Sequence, residues 1–262
     1  MGEGKDVVLF DIKGGIATIT LNRPERRNAL SIATHKRLDE IWTEVNKNPE
    51  IRVAIITGSD CGTFCAGMDL KEAAELRKTK GIDILEVIGD PSFPRLRSLA
   101  KPMIAAINGH APAGGMMLAV NSDLRVGLAG TTLAITEVHR GRGSPWAMPA
   151  LWQMPAPLLL ELTLVGDPMP IERFHQVGFV NYLEPTVAKV MERARALAER
   201  IAAAAPLSVQ AAKLSAMAAM DIVSGHALKE ASYIHEKAYT SEDAIEGPRA
   251  FAEKRKPVWK GR

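Results

Sequence analysis

The feature that most constrains this chain is a pair of small-residue turns, Ala66-Gly67-Met68-Asp69-Leu70 and Asn108-Gly109-His110-Ala111-Pro112-Ala113-Gly114-Gly115. Each follows a strand-like run, Val53 to Thr57 before the first and Met103 to Ile107 before the second, and the second opens an apolar helix-like stretch, Met116 to Val120. Glycines in a first helical turn leave backbone N–H groups that a ligand oxygen can approach closely. Two such donors meeting at one point form an oxyanion hole, which implies chemistry on a carbonyl that becomes negatively charged. Taken singly, either turn is equally a bend that any α/β chain needs between its elements.

As a pair, in order and distance, the turns resemble the two signature segments of the crotonase family, also called the enoyl-CoA hydratase/isomerase family. The resemblance runs nearly the whole chain: Leu21-Asn22-Arg23-Pro24 with Arg27-Asn28-Ala29-Leu30, then Phe64 to Leu70, Lys101-Pro102 to Gly109, Asp123, and Ser241-Glu242-Asp243 to Phe251 through Pro257. It implies an α/β fold built as a spiral of ββα units, with a helical C-terminal region that assembles trimers, usually as dimers of trimers. It also implies an acyl-CoA thioester as substrate, so that coenzyme A arrives as part of the substrate and no separate cofactor is expected.

By the same resemblance the two oxyanion donors are the backbone N–H groups of Met68 and Gly114. Hydratases of the family hold one water between two glutamates. Here the first of those positions is Met117, whose thioether cannot take a proton, and the second is Glu137, within Leu133-Ala134-Ile135-Thr136-Glu137-Val138. A single base can move a proton between two carbons, whereas holding water in the usual way takes two carboxylates. The expectation is therefore a single-glutamate reaction, isomerisation of an enoyl-CoA or a related lyase step, with hydration as the alternative and a catalytically silent acyl-CoA-binding protein as a further one. Without the resemblance Glu137 reads as a surface or capping carboxylate. His139, Arg140, Arg142 and Ser144 depart from the apolar, glycine-rich loop usual in the family. They either contact a polar or charged acyl group, or the arginines are solvated or paired at a subunit interface. Arg26, Arg27, Ala29, Ala66 and Lys256 match the regions that line the nucleotide of coenzyme A, although residue by residue the cations also read as exposed charges on a turn and a tail. Asp69 reads as structural, a short carboxylate accepting backbone N–H bonds in its turn.

Composition narrows the alternatives. The chain has 262 residues, 47% apolar and 24% charged, enough for a full core in one domain with a small extension. A net charge of +3, few aromatics and no basic block except Glu253-Lys254-Arg255-Lys256 argue against a nucleic-acid surface. Cys61 and Cys65 lie close together without further cysteines, which supports neither a disulfide framework nor a zinc site, and no metal is expected. No signal peptide or bilayer-spanning run is evident, so the expected location is the cytoplasm. The sequence also lacks G-x-S-x-G, H-E-x-x-H, Walker and G-x-G-x-x-G patterns.

The periodicity predicts a hairpin from Val7–Ile12 and Ile16–Asn22 around Gly14-Gly15, then a helix from Ser31 to Lys47 that buries Leu38, Ile41, Trp42 and Val45. Buried strands are expected at Arg52–Thr57, Met103–Ile107 and Asp123–Leu128. Lys71 to Pro94, with Leu76, Ile84, Leu85, Val87 and Ile88, reads either as a cover over the acyl chain or as a surface helix pair. The acyl-CoA-binding core is placed at residues 1–200 and the helical extension at 201–262, with helices expected at Leu207–Met220, Ser224–Tyr239 and Ser241–Glu253.

Overall fold

The computed structural model describes residues 7–89 and 94–262. β1 (Val8–Lys13) and β2 (Ile16–Leu21) form the expected hairpin, with Val8 opposite Leu21 and Lys13 opposite Ile16. Gly14 and Gly15 turn it with φ of 60° and 78°, the left-handed pair that a two-residue loop requires. α1 (Ile32–Lys47) starts where the Ser31 hydroxyl accepts the Thr34 N–H at 3.1 Å, and it buries the predicted face of Leu38, Ile41, Trp42 and Val45.

The chain continues through β3 (Val53–Gly58), α2 (Leu70–Lys80), α3 (Ile84–Ile88), α4 (Pro94–Arg97), β4 (Met103–Ile107), β5 (Ala111–Pro112) and α5 (Gly114–Val120). Next come β6 (Leu124–Leu128), β7 (Thr132–Ala134), α6 (Ala156–Leu164), β8 (Met169–Pro170), α7 (Ile171–Gln176) and β9 (Tyr182–Glu184). Three helices close the chain: α8 (Val187–Ala203), α9 (Pro206–Thr240) and α10 (Glu242–Ala252). The larger sheet has the order β1-β2-β3-β4-β6-β9 and is parallel from β2 onward; a smaller one has the order β5-β7-β8.

Both faces of the large sheet are covered, which is why β3 and β4 read as unbroken apolar runs. Val53, Ile55, Ile104 and Ala106 pack with Val190, Ala194 and Ala198 of α8. Ala54, Ile56, Met103, Ala105 and Ile107 alternate to the other face and join the main core with α1 and α5. This is mixed α/β layering, as the resemblance implies.

α9 is tied to this core by a buried ion pair. Lys213 Nζ lies 2.8 Å from Asp123 and also donates to the Lys101 carbonyl at 3.0 Å, while Asp123 accepts the Met103 N–H. The helical break expected between Met220 and Ser224 does not occur, and α9 is continuous. Neither Ser nor Gly removes the backbone N–H as proline does, so each is tolerated inside a helix at a cost of about 1 kcal/mol or less. The tail after α10 folds back. Glu246 accepts Arg255 and the Val258 N–H, and Asp243 accepts the N–H groups of Lys260 and Gly261.

Of the segment from Lys71 to Pro94, residues 90–93 lie outside the described residues. The rest is a surface helix pair: α2 buries no side chain and α3 buries only Ile84. Cys61 and Cys65 are free thiols, and burial pushes Cys65 up to about 12.

Candidate functional site

The two glycine turns meet. The Phe64 N–H donates to the His110 carbonyl and the His110 N–H to the Gly62 carbonyl, both at 3.0 Å, so the turns pair as a short parallel bridge. Their contact leaves no room for side chains. A Cβ on Gly67 would lie 2.8 Å from the Ala113 Cβ and 3.0 Å from the Gly114 nitrogen. A Cβ on Gly114 would lie 2.9 Å from the Gly67 Cα, one on Gly109 2.6 Å from the Thr63 nitrogen, and one on Gly115 would strike the Cys65 carbonyl.

Each proposed donor is aimed by the carbonyl on the other side of its own peptide plane. The Gly67 carbonyl accepts the Leu30 N–H at 2.8 Å, and because the peptide is trans the Met68 N–H points the opposite way. The Ala113 carbonyl accepts the Met117 N–H at 2.9 Å, so the Gly114 N–H is directed out of the start of α5. Neither N–H has a protein acceptor among the described residues. Ala113 holds φ 50° and ψ −114°, values that favour glycine; strain of about 1–3 kcal/mol is characteristic of such positions at functional sites.

Glu137 opens the 3-10 turn Glu137–Arg140. The strand that leads to it, β7, pairs in parallel with β5, and the Ala113 N–H donates to the Ala134 carbonyl at 2.9 Å. The base candidate and the Gly114 donor are thus carried by adjacent, hydrogen-bonded segments. Its Oε2 is buried and has no hydrogen-bond partner. Burial raises the carboxyl to about 7, against the opposing pull of its own and Thr136's backbone N–H and of the Trp146 indole. Trp146 is itself buried in the main core with Met117. The sequence reading did not single out Trp146, since nothing in Ser144-Pro145-Trp146 marks it locally as a neighbour of the base.

The loop beyond Glu137 is paired within the chain. His139 lies 3.6 Å from Asp167, Arg140 stacks on Phe251 at 4.6 Å, and Arg142 binds Asp83 through both guanidinium nitrogens at 2.7 and 2.9 Å. Ser144 is buried at the start of the next 3-10 turn. Neither expected reading named these partners, which lie within the same chain.

The nucleotide-side candidates divide. The Ala66 N–H donates to the Arg27 carbonyl at 3.1 Å, Ala29 is buried next to Leu30, and Arg26 Nε lies 4.0 Å from Asp69, so Arg26, Arg27, Ala29 and Ala66 share one corner. Asp69 caps α2, accepting the Lys71 and Glu72 N–H groups, and binds Arg23 at 2.8 Å; although burial opposes ionisation, these partners hold its carboxyl below the ordinary range. Lys256 is exposed after α10 and no hydrogen bond or ion pair joins it to that corner among the described residues.

The profile of the enoyl-CoA hydratase/isomerase family matches residues 11–262. Among similar proteins, the (E)-benzylidenesuccinyl-CoA hydratase of Thauera aromatica is 34% identical over 259 residues, covering 97% of this chain and 99% of that one. The carnitinyl-CoA dehydratase of Proteus mirabilis is 35% identical over 258 residues, covering 95% and 97%. A crystal structure of carnitinyl-CoA hydratase from Mycobacterium avium superposes with a TM-score of 0.84 at 34% identity, covering 98% of this chain and 100% of that one. Matched by that family's profile over residues 11–262 and similar to these proteins over nearly its whole length, the chain belongs to the enoyl-CoA hydratase/isomerase family of enzymes.

Proposed function

We propose that this enzyme adds water to a 2-enoyl-CoA thioester, and removes it in reverse, with Glu137 as the one carboxylate in the proton path. The observation that carries this reading is the buried, unpartnered Glu137 Oε2, held near neutrality. A carboxyl that titrates near 7 can act first as base and then as acid at neutral pH. The ionised carboxylate takes a proton from water while the water oxygen bonds to Cβ and the π electrons move onto the thioester oxygen. The Met68 and Gly114 N–H groups hold that oxygen. The neutral carboxyl then returns the same proton to Cα, so one water is added and the carboxylate is regenerated.

The sequence led us to prefer isomerisation. The similar proteins, named as hydratases and dehydratases at near-complete coverage, support hydration over it. One observation still favours the isomerase as a second reading: Met117 is buried in the apolar core at the place of the first glutamate. We propose further that copies of the chain associate as trimers or dimers of trimers through apolar side chains exposed on the single chain, such as Trp152 and Leu164, 52% and 71% exposed. The reaction is expected to need no cofactor beyond the coenzyme A of the substrate, with Arg26, Arg27, Ala29, Ala66 and Lys256 as candidates to bind it, and to take place in the cytoplasm.

The test is mass spectrometry of 2-enoyl, 3-enoyl and aromatic acyl-CoA thioesters incubated with the enzyme in water enriched in deuterium and oxygen-18. Oxygen-18 at Cβ is the expected result. A shifted double bond without oxygen label would instead establish the isomerase.

A further inference from the structure

We infer that the Arg142–Asp83 bridge is a positioning device that fixes the Glu137 turn relative to the Met68 segment, making Arg142 and Asp83 positioning residues for the reaction. The inference rests on Glu137 as the base. It starts from the backbone: the N–H groups of Gly141 and Arg142 both donate to the Glu137 carbonyl, the latter at 3.0 Å, so the residue that closes the turn is also the one that anchors it. Both guanidinium prongs of Arg142 engage both oxygens of Asp83, a fork-to-fork geometry that fixes orientation as well as distance. Only 12% of the Arg142 side chain is exposed. Its guanidinium also stacks over the Tyr239 ring at 5.3 Å, and the Tyr239 hydroxyl donates to the Gly143 carbonyl at 2.8 Å.

The other end of the bridge is equally fixed. Asp83 caps α3 in a reciprocal box: its side chain accepts the Leu85 N–H and the Glu86 side chain accepts the Asp83 N–H. α3 follows α2, and α2 begins at the Asp69 cap immediately after Met68. One carboxylate–guanidinium pair therefore closes a ring of contacts between the segment that carries an oxyanion donor and the turn that carries the base. Proton transfer and oxyanion stabilisation act on one substrate, and a misplacement of about 1 Å between such groups costs about 10²-fold in rate.

Among the described residues, other charged groups on elements packed around the turn include Glu161 on α6, paired with Arg173; His235 on α9; Glu242, Asp243, Glu246 and Arg249 on α10, with Glu242 paired to Lys260 and Glu246 to Arg249 and Arg255; and Asp167 beside His139. The raised value of Glu137 comes from burial and not from any of these charges. A turn released by loss of the bridge admits water to the carboxyl.

The test follows the Glu137 carboxyl directly, by carbon-13 NMR titration of the full-length protein, with Glu137→Gln identifying the resonance. Arg142→Gln, Asp83→Asn, the double variant and Arg142→Lys are compared with wild type, each with its melting temperature. The expected result is a midpoint near 7 in wild type that falls by at least about one unit toward the ordinary 4.5 in either single variant, with no further fall in the double and a partial fall for Lys. Arg142→Lys keeps the charge with a single prong, and it decides the question if the Gln variant does not fold. A midpoint that stays in place while the melting temperature drops overturns the inference, as does a wild-type midpoint already at the ordinary value. Failure of the functional reading is read separately: a Glu137→Gln enzyme that still hydrates crotonyl-CoA refutes the base but leaves the titration result standing.

Discussion

The two halves of the site are built by opposite means. The proposed oxyanion side is backbone held by backbone, where glycines at 67, 109, 114 and 115 let one turn lie against another and two carbonyl bonds aim two N–H groups. The proposed base side is a single side chain on a short turn, and the surroundings of that turn come from far along the chain: Asp83, Tyr239, Phe251 and α10, where a Cβ on Gly141 would strike the Asp243 carbonyl and one on Gly247 would strike the Arg140 backbone. A site that must stabilise charge without reorganising is well served by the first kind of construction. One that must tune a proton affinity is served by the second, because burial by distant elements sets the carboxyl near 7.

The sharpest way to break this division is Glu137→Gln, expected to lower kcat by about 10²- to 10⁴-fold in a steady-state assay on the 2-enoyl-CoA that gives the best turnover. An enzyme that keeps full activity would remove the base from its half of the site. On the other half, Gly67→Ala is expected to lower kcat by about 10²- to 10³-fold, since its Cβ would push Ala113 and Gly114 away from the first turn and misplace a donor. The same assay checks it, and a small effect would mean that the contact between the turns is not what aligns the hole.

The pH dependence separates the halves further. Because the folded-state affinity of Glu137 is raised above the ordinary 4.5, the folded protein binds the proton more tightly than the unfolded one, and this group lowers stability as pH rises through 4.5 toward 7. Glu137→Gln should therefore be more stable than wild type by about 1–3 kcal/mol above pH 7 and no more stable below pH 4.5. Denaturant melts at pH 4.5 and pH 8 give the answer. The acid limb of kcat/KM for wild type should lie near 7 for the same reason. Last comes Asp69→Ala, which removes both the cap of α2 and the carboxylate partner of Arg23 for about 1–3 kcal/mol in all, with a slower turnover only if α2 helps hold Met68 in place.

What the sequence disclosed follows the same division. The hairpin at Gly14-Gly15, the buried face of α1 and the two glycine turns are local patterns, and each is where spacing and turn chemistry put it. The Asp69 cap was legible for that reason as well. The Arg142–Asp83 bridge was not, because no periodicity links a loop arginine to a helix cap so far upstream, and Arg142 stayed open between substrate and partner. Trp146 was missed on similar grounds: its place beside Glu137 is set by how one 3-10 turn packs on another. The docking of α9 on the core and the folded-back tail likewise rest on tertiary contacts, Lys213 to Asp123 and Arg255 to Glu246, that no local signal announces. The choice between water addition and double-bond migration turned on one residue, Met117, while the names of the similar proteins weigh toward water addition.

The close contact of Gly67 with Gly114 and of Gly109 with the backbone at Thr63 has a bearing on how this scaffold can be diversified. A library that randomises the glycines would spend most of its members on proteins with a jammed or unfolded hole. Met68, whose amide is the proposed donor while its side chain has no part in the proposed chemistry, is the productive position for recruiting new acyl groups. The chemistry and the substrate range can then be evolved on separate letters of the same chain.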